Sequence, residues 1–161
     1  MLAEYFGKAL IGKAEEKAFK ENQIREIKKE FLENFKGTPA FLEFDTFENI
    51  LKSSDKENLK EWKRLLWLCA NLYNALPYRT QKSVYLAVFA AAVTGNPHAF
   101  DQGTAEGKIL YQVIQMDLGQ RGIQVETLEM FPAYKRQKSY LLAGILIDDI
   151  SNYALLYNVR S

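Results

Sequence analysis

The amino-acid sequence predicts a mainly α-helical protein, and three features carry the prediction. Apolar residues recur at three- and four-residue spacing through most of the chain, the period at which side chains share one face of a helix. Residues with helix-starting chemistry, Thr38-Pro39, Ser54, Thr104 and Pro132, precede these stretches. Gly37, Pro77, Gly95, Gly119 and Gly144 stand at or near their ends. Only the residues beyond Gly144 depart from helical spacing. The expected architecture is a multi-helix domain around a buried central helix at about residues 80–94. A C-terminal helix and a β-hairpin close it, in the manner of a winged-helix unit.

In chain order, the first element is a charged helix from roughly Lys13 to Phe35, with Phe19, Ile24, Ile27, Phe31 and Phe35 on its inner face. Its lysines, among them Lys13, Lys17, Lys20, Lys28 and Lys29, alternate with glutamates, as in ordinary surface pairing. Gly37 stops it. Thr38-Pro39 supplies an N-cap oxygen and a proline already at a helical φ. A short helical piece with Phe41, Leu42, Phe44, Phe47, Ile50 and Leu51 follows, broken near Asp45. Ser54 and Glu57 form a capping box for a helix carrying Leu59, Trp62, Leu65, Leu66, Cys69, Leu72, Tyr73 and Leu76, which Pro77 ends. The run Val84 to Val93 is apolar on nearly every side, so other elements must surround it. Gly95-Asn96-Pro97 makes a turn. Thr104 caps a helix whose inward residues are Ile109, Leu110, Val113, Ile114 and Leu118. Pro132 to Ala143 forms the last helix. Beyond it, Ile145-Leu146-Ile147 and Tyr153 to Val159 read as two strands joined by the polar Asp148 to Asn152.

Bulk properties narrow the function classes. The 161 residues, 48% hydrophobic and 25% charged, suit one folded module, 1–161, with sub-lobes at 1–52 and 53–161. A net charge of +1 argues against a generic polyanion binder, while leaving room for a local basic patch. The single cysteine, Cys69, cannot form an internal disulfide, which is compatible with a reducing, cytoplasmic setting. The N-terminus lacks the order of a signal peptide. The longest apolar run is about half the roughly twenty residues of a membrane span. The chain stops directly after an apolar strand, an uncovered edge that points to a boundary within a longer protein.

Few residues suggest chemistry. His98 is the only histidine, too little with Cys69 for a zinc site. His98 and Asp101 could form an acid–base pair, but a structural tie across the turn is the favoured reading. Gly95, Gly103 and Gly107 lie near a helix start, yet no Lys-Ser or Lys-Thr follows in phosphate-loop register. Asp148 and Asp149 are adjacent on a strand, so they point to opposite faces and suit a polar turn better than a metal site. Lys135, Arg136 and Lys138 place three cations near a helix start between Tyr134 and Tyr140, suited to phosphate contact or to a solvated face. No cofactor is expected in this chain.

Three segments then resemble one bacterial family. Ala92 to Thr104, with Thr94-Gly95-Asn96-Pro97-His98-Ala99-Phe100-Asp101-Gln102-Gly103-Thr104, is similar to its TGDPHALDRGT signature, with Asn96 at an aspartate position. Leu141 to Ser151 resembles WEAAGVxxDDLS, and Tyr5 to Leu10 resembles YFGxPL. The family is the nuclease subunit of one type of Wadjet anti-plasmid defence system, whose members resemble the A subunits of type IIB topoisomerases. The resemblance implies N-terminal helical and winged-helix-like regions, a C-terminal Toprim domain with divalent metal, and a condensin-like SMC motor as partner. No Toprim sequence is present in this chain, so no catalytic residue carries over, and none of the nine tyrosines aligns with the topoisomerase nucleophile. The expectation is a non-catalytic module contacting double-stranded DNA through Lys135, Arg136 and Lys138, with Gly95, Asn96, Pro97, His98, Asp101, Gly103 and Thr104 as a structural motif. The competing expectation is a protein-interaction module that docks the SMC complex or forms a homodimer.

Overall fold

The computed structural model describes residues 2–51, 56–125 and 131–147, with backbone alone for 2–11. It is mainly helical, as the spacing predicts. The elements are α1 (Leu2–Asn34), a 3-10 turn (Pro39–Leu42), α2 (Phe44–Ile50), α3 (Leu59–Ala75), a second 3-10 turn (Pro77–Thr80), β1 (Val84–Tyr85), α4 (Leu86–Thr94), α5 (Ala105–Gln120), α6 (Pro132–Leu142) and β2 (Ile145–Leu146). They fall into two compact units, residues 1–70 and 71–161.

The first unit is built on aromatic rings. Phe31 of α1 is fully buried and touches four others, with centroids 4.7 Å from Phe35, 5.1 Å from Phe44, 6.2 Å from Phe47 and 5.6 Å from Trp67. Phe44 meets the buried Trp62 edge-on at 6.3 Å. Such tilted and T-shaped contacts place a ring's positive edge on its neighbour's negative face. Lysines roof the cluster: Lys28 lies 5.3 Å from Phe44, Lys56 5.4 Å from Trp62 and Lys63 5.1 Å from Trp67. Lys63 also bonds Glu30.

Local signals behaved unevenly here. Ile27, Phe31 and Phe35 are buried, whereas Phe19, expected on the same inner face, is 65% exposed. Thr38 precedes the 3-10 turn without capping it; its hydroxyl donates backwards to Phe35 O at 2.7 Å. Ser54 of the expected capping box lies outside the described residues. Asn58 stands before α3 instead, its Oδ1 accepting the Glu61 N–H at 3.3 Å, the usual N-cap geometry.

The second unit corrects the sequence reading most. The expected central helix at 80–94 is neither continuous nor buried. Val84–Tyr85 forms β1, paired in parallel with β2 through Val84↔Ile145 and Tyr85↔Leu146. Helix α4 then buries only Phe89 and Ala90. Ala87, Val88, Ala91 and Ala92 are exposed. The reason is one of area: alanines offer little surface to bury, so a run that is apolar on every side here commits one face only. The buried helix of this unit is α5, with Ile109, Leu110, Val113, Ile114 and Leu118 inside as expected. The expected hairpin partner at 153–159 lies outside the described residues; the partner observed for Ile145–Leu146 is β1.

Gly144 makes this pairing possible. It has φ +90°, and a Cβ there would meet Lys82 O at 2.6 Å and Tyr78 N at 2.7 Å. Its carbonyl accepts the Val84 N–H at 2.9 Å, and Ala143 O accepts that of Tyr78 at 3.0 Å. Only a residue without a side chain lets these backbones come so close.

Candidate functional site

Helices α5 and α6 pack together, tied by the amide of Gln115, which donates to Ser139 Oγ at 2.9 Å. Between their N-terminal portions opens a cleft of about 950 Å3. Gln102 and Gly103 of the preceding loop form one part of its wall, with Gly107, Lys108, Tyr111 and Gln112 of α5. Phe131, Pro132, Ala133 and Arg136 complete it. The lining carries two cations, two side-chain amides and two aromatic rings, with no carboxylate among its described residues.

Chain order explains how these groups converge. Helix α5 turns Ile109, Leu110, Val113 and Ile114 inward, which leaves Lys108, Tyr111 and Gln112 on a flank at one-turn spacing. Helix α6 buries Ser139 and Tyr140 and so presents Arg136, one turn before Tyr140, beside the cleft. The guanidinium lies 4.8 Å from the Tyr140 ring centre, a cation–π contact that fixes its approach. Tyr140 itself is fully buried, and burial raises its pKa against the lowering effect of the Arg136 guanidinium.

The basic segment expected to contact DNA is divided by helical geometry. At about 100° per residue, Arg136 stands about 100° from Lys135 and about 200° from Lys138 around α6. Arg136 lines the cleft, Lys135 is half-buried and Lys138 is exposed on the far side. The three therefore present no common face.

The signature loop holds itself together. Thr94 Oγ1 accepts the Asn96 N–H at 3.0 Å, and Asn96 Oδ1 accepts the His98 N–H at 2.9 Å. Thr104 caps α5 as expected, its Oγ1 accepting the Gly107 N–H at 2.9 Å and lying 2.9 Å and 2.8 Å from the carbonyls of Ala99 and Asp101. Gly95 and Gly103 have φ values of +82° and +92°. A Cβ on Gly107 would meet Asp101 O at 2.7 Å, so the loop folds directly over the helix start. His98 Nδ1 lies 3.0 Å from Asp101 Oδ2. Both side chains are largely in solvent, at 79% and 53% exposure, and neither lines the cleft. The loop carries Gln102 and Gly103 to the cleft wall.

A second polar cluster centres on Asp117, which is 1% exposed. Its carboxylate accepts from Tyr78 Oη at 2.6 Å, Arg79 at 3.2 Å and Arg121 at 2.9 Å. Arg121 stacks 3.7 Å from the Tyr78 ring centre and donates to Leu142 O at 3.0 Å. Arg79 donates to Tyr73 O at 2.8 Å. Burial, then the Asp117 carboxylate, pushes the Tyr78 phenol up to about 12. A phenol held so firmly protonated is a poor nucleophile, and both oxygens of the carboxylate are already engaged by donors. The cluster is a structural knot.

Sequence reasoning found Arg136, Gly103 and the loop, and missed Gln102, Lys108, Tyr111, Gln112 and Phe131 as lining residues. Asp117 had a visible signal: it falls three and four residues after Ile114 and Val113, inside the apolar stripe. Among the described residues, no three His, Cys, Asp or Glu side chains gather to hold a metal. No helix among them is long and apolar enough to cross a membrane.

No curated protein and no solved structure matches the chain. A family model described as "Protein of unknown function N-terminus (DUF3323)" matches residues 1–161, and the chain belongs to that family.

Proposed function

We propose that this chain is a non-catalytic, DNA-contacting and scaffolding module. In this reading it is the N-terminal part of the Toprim-type nuclease subunit of a bacterial, SMC-based anti-plasmid defence system. The resemblance of its three segments to the Wadjet nuclease subunit supports that setting, and the family's description as an N-terminus agrees with it. The observation that carries DNA contact is the α5–α6 cleft, where Lys108 and Arg136 converge from two helices and no described lining residue is a carboxylate. Cations so placed attract phosphate and release its counterions on binding. In this reading the partners are DNA and the SMC complex in the cytoplasm, and the divalent metal belongs to the Toprim domain.

Fluorescence anisotropy of a labelled plain duplex tests this at low and near-physiological salt. Two phosphate contacts give a slope of log affinity on log salt near −1.8, at about −0.9 per contact. Absence of binding at low salt would contradict the proposal.

A second reading has its own support. The exposed face of α4, Ala87, Val88, Ala91 and Ala92, with Tyr85 55% exposed just before it, is an apolar surface suited to protein docking or self-association. Sedimentation of the wild type and Val88→Asp discriminates. A dimer that the substitution dissolves, in a protein with no DNA affinity, would favour this reading.

A further inference from the structure

Resting on the DNA-contacting reading, we infer that the α5–α6 cleft takes an unstacked nucleobase of a DNA strand, with Phe131 as its stacking platform and the adjoining phosphate against Lys108 and Arg136.

The cleft's chemistry separates this ligand from an intact duplex. Non-specific duplex binding draws its affinity from many phosphate contacts, and here each lining helix offers one cation. The remaining cations of α6 are rotated away from the cleft, Lys138 by about 200°. Two phosphate contacts are too few to hold a duplex tightly. The other lining groups suit a base. Phe131 is 80% exposed at the cleft, an area of ring that water solvates poorly and a base can cover. Its backbone is anchored, since its carbonyl accepts the N–H groups of Tyr134 and Lys135, each at 3.0 Å. Tyr111 adds a second ring to the wall, and Gln102 and Gln112 carry both donors and acceptors for a base edge. At about 950 Å3, the cleft lies within the range of about 300–1,000 Å3 typical of sites that enclose small ligands.

A base with its phosphate could come from a strand or from a free nucleotide. The strand is the source inferred here, because the cleft's two cations stand on different helices.

The test compares a labelled 12-mer of thymidines with a labelled duplex of equal length by anisotropy at low salt. The wild-type chain, Phe131→Ala, Phe131→Trp and Lys138→Ala are each titrated. The single strand is expected to bind about tenfold more tightly than the duplex, since one stacking contact is worth about that factor. Phe131→Ala should erase the preference, while Phe131→Trp and Lys138→Ala should keep it. Phe131 is largely in solvent, so its replacement leaves the fold intact, and circular dichroism verifies this. Equal affinity for strand and duplex, unchanged in Phe131→Ala, would overturn the base site and leave DNA contact standing. Failure of both probes to bind would overturn both. Displacement of the 12-mer by thymidine monophosphate at similar concentration would overturn the strand as the source.

Discussion

The two units of this protein solve the same problem with opposite means. Residues 1–70 are held by a cluster of aromatic rings around Phe31, with lysines only at its margin. Residues 71–161 set a buried carboxylate, Asp117, among Tyr78, Arg79 and Arg121. The first arrangement depends on shape and area, and tolerates loss of a surface charge. The second depends on every partner being present, because a buried charge that loses a partner is costly. The candidate site lies in the second unit, where α5 carries both the knot at Asp117 and the cleft residues Lys108, Tyr111 and Gln112.

The largest expected effect is in the aromatic unit. Phe31→Ala should cost about 3–5 kcal/mol, as burial and four ring contacts are lost together, read as a fall in the denaturant midpoint. A loss below about 1 kcal/mol would show that the cluster is not the core. Asp117→Ala should cost about 3 kcal/mol, somewhat less than an enclosed pair, because Arg79 and Arg121 are 22% and 26% exposed and can turn to water. If Asp117→Leu proved as stable as wild type, the knot would count as a specificity device rather than a stabilising one.

Removing the Thr104 cap with Thr104→Val should cost about 1 kcal/mol. Tyr78 adds a pH effect. Its folded pKa, about 12, is above the ordinary 10.0, so its contribution is fully present below pH 10 and is lost as pH rises from 10 to 12. Tyr78→Phe should abolish that falling limb, and an unchanged alkaline profile would remove the Tyr78–Asp117 bond from the account. His98→Ala comes last, within about 0.5 kcal/mol, because its contact with Asp101 is solvent-exposed.

Legibility in the sequence followed local spacing rather than the division into units. The inner faces of α3 and α5, the stop at Gly95 and the cap at Thr104 were readable, since each depends on residues three or four apart. Arg136 was readable as a cation, but not as the one cation of its segment turned toward a cleft. That depends on which face α6 buries. The exposure of α4 was misread because hydrophobicity alone says that a surface can be buried, not that enough partner surface exists to bury it. The parallel pairing of β1 with β2 depends on Gly144, whose fit against Lys82 and Tyr78 joins positions about sixty residues apart in the sequence. Lys108 lies in α5 and Phe131 directly before α6, and no spacing rule links them.

The central claim is that DNA contact lies in the cleft rather than on the outer face of α6. Anisotropy with a labelled duplex, comparing Lys108→Ala/Arg136→Ala with Lys135→Ala/Lys138→Ala across a salt series, tests it most directly. The account expects the first pair to flatten the salt slope by about 1.8 and the second to leave it near the wild-type value. A slope lost only with Lys135 and Lys138, or unchanged in both, would contradict it.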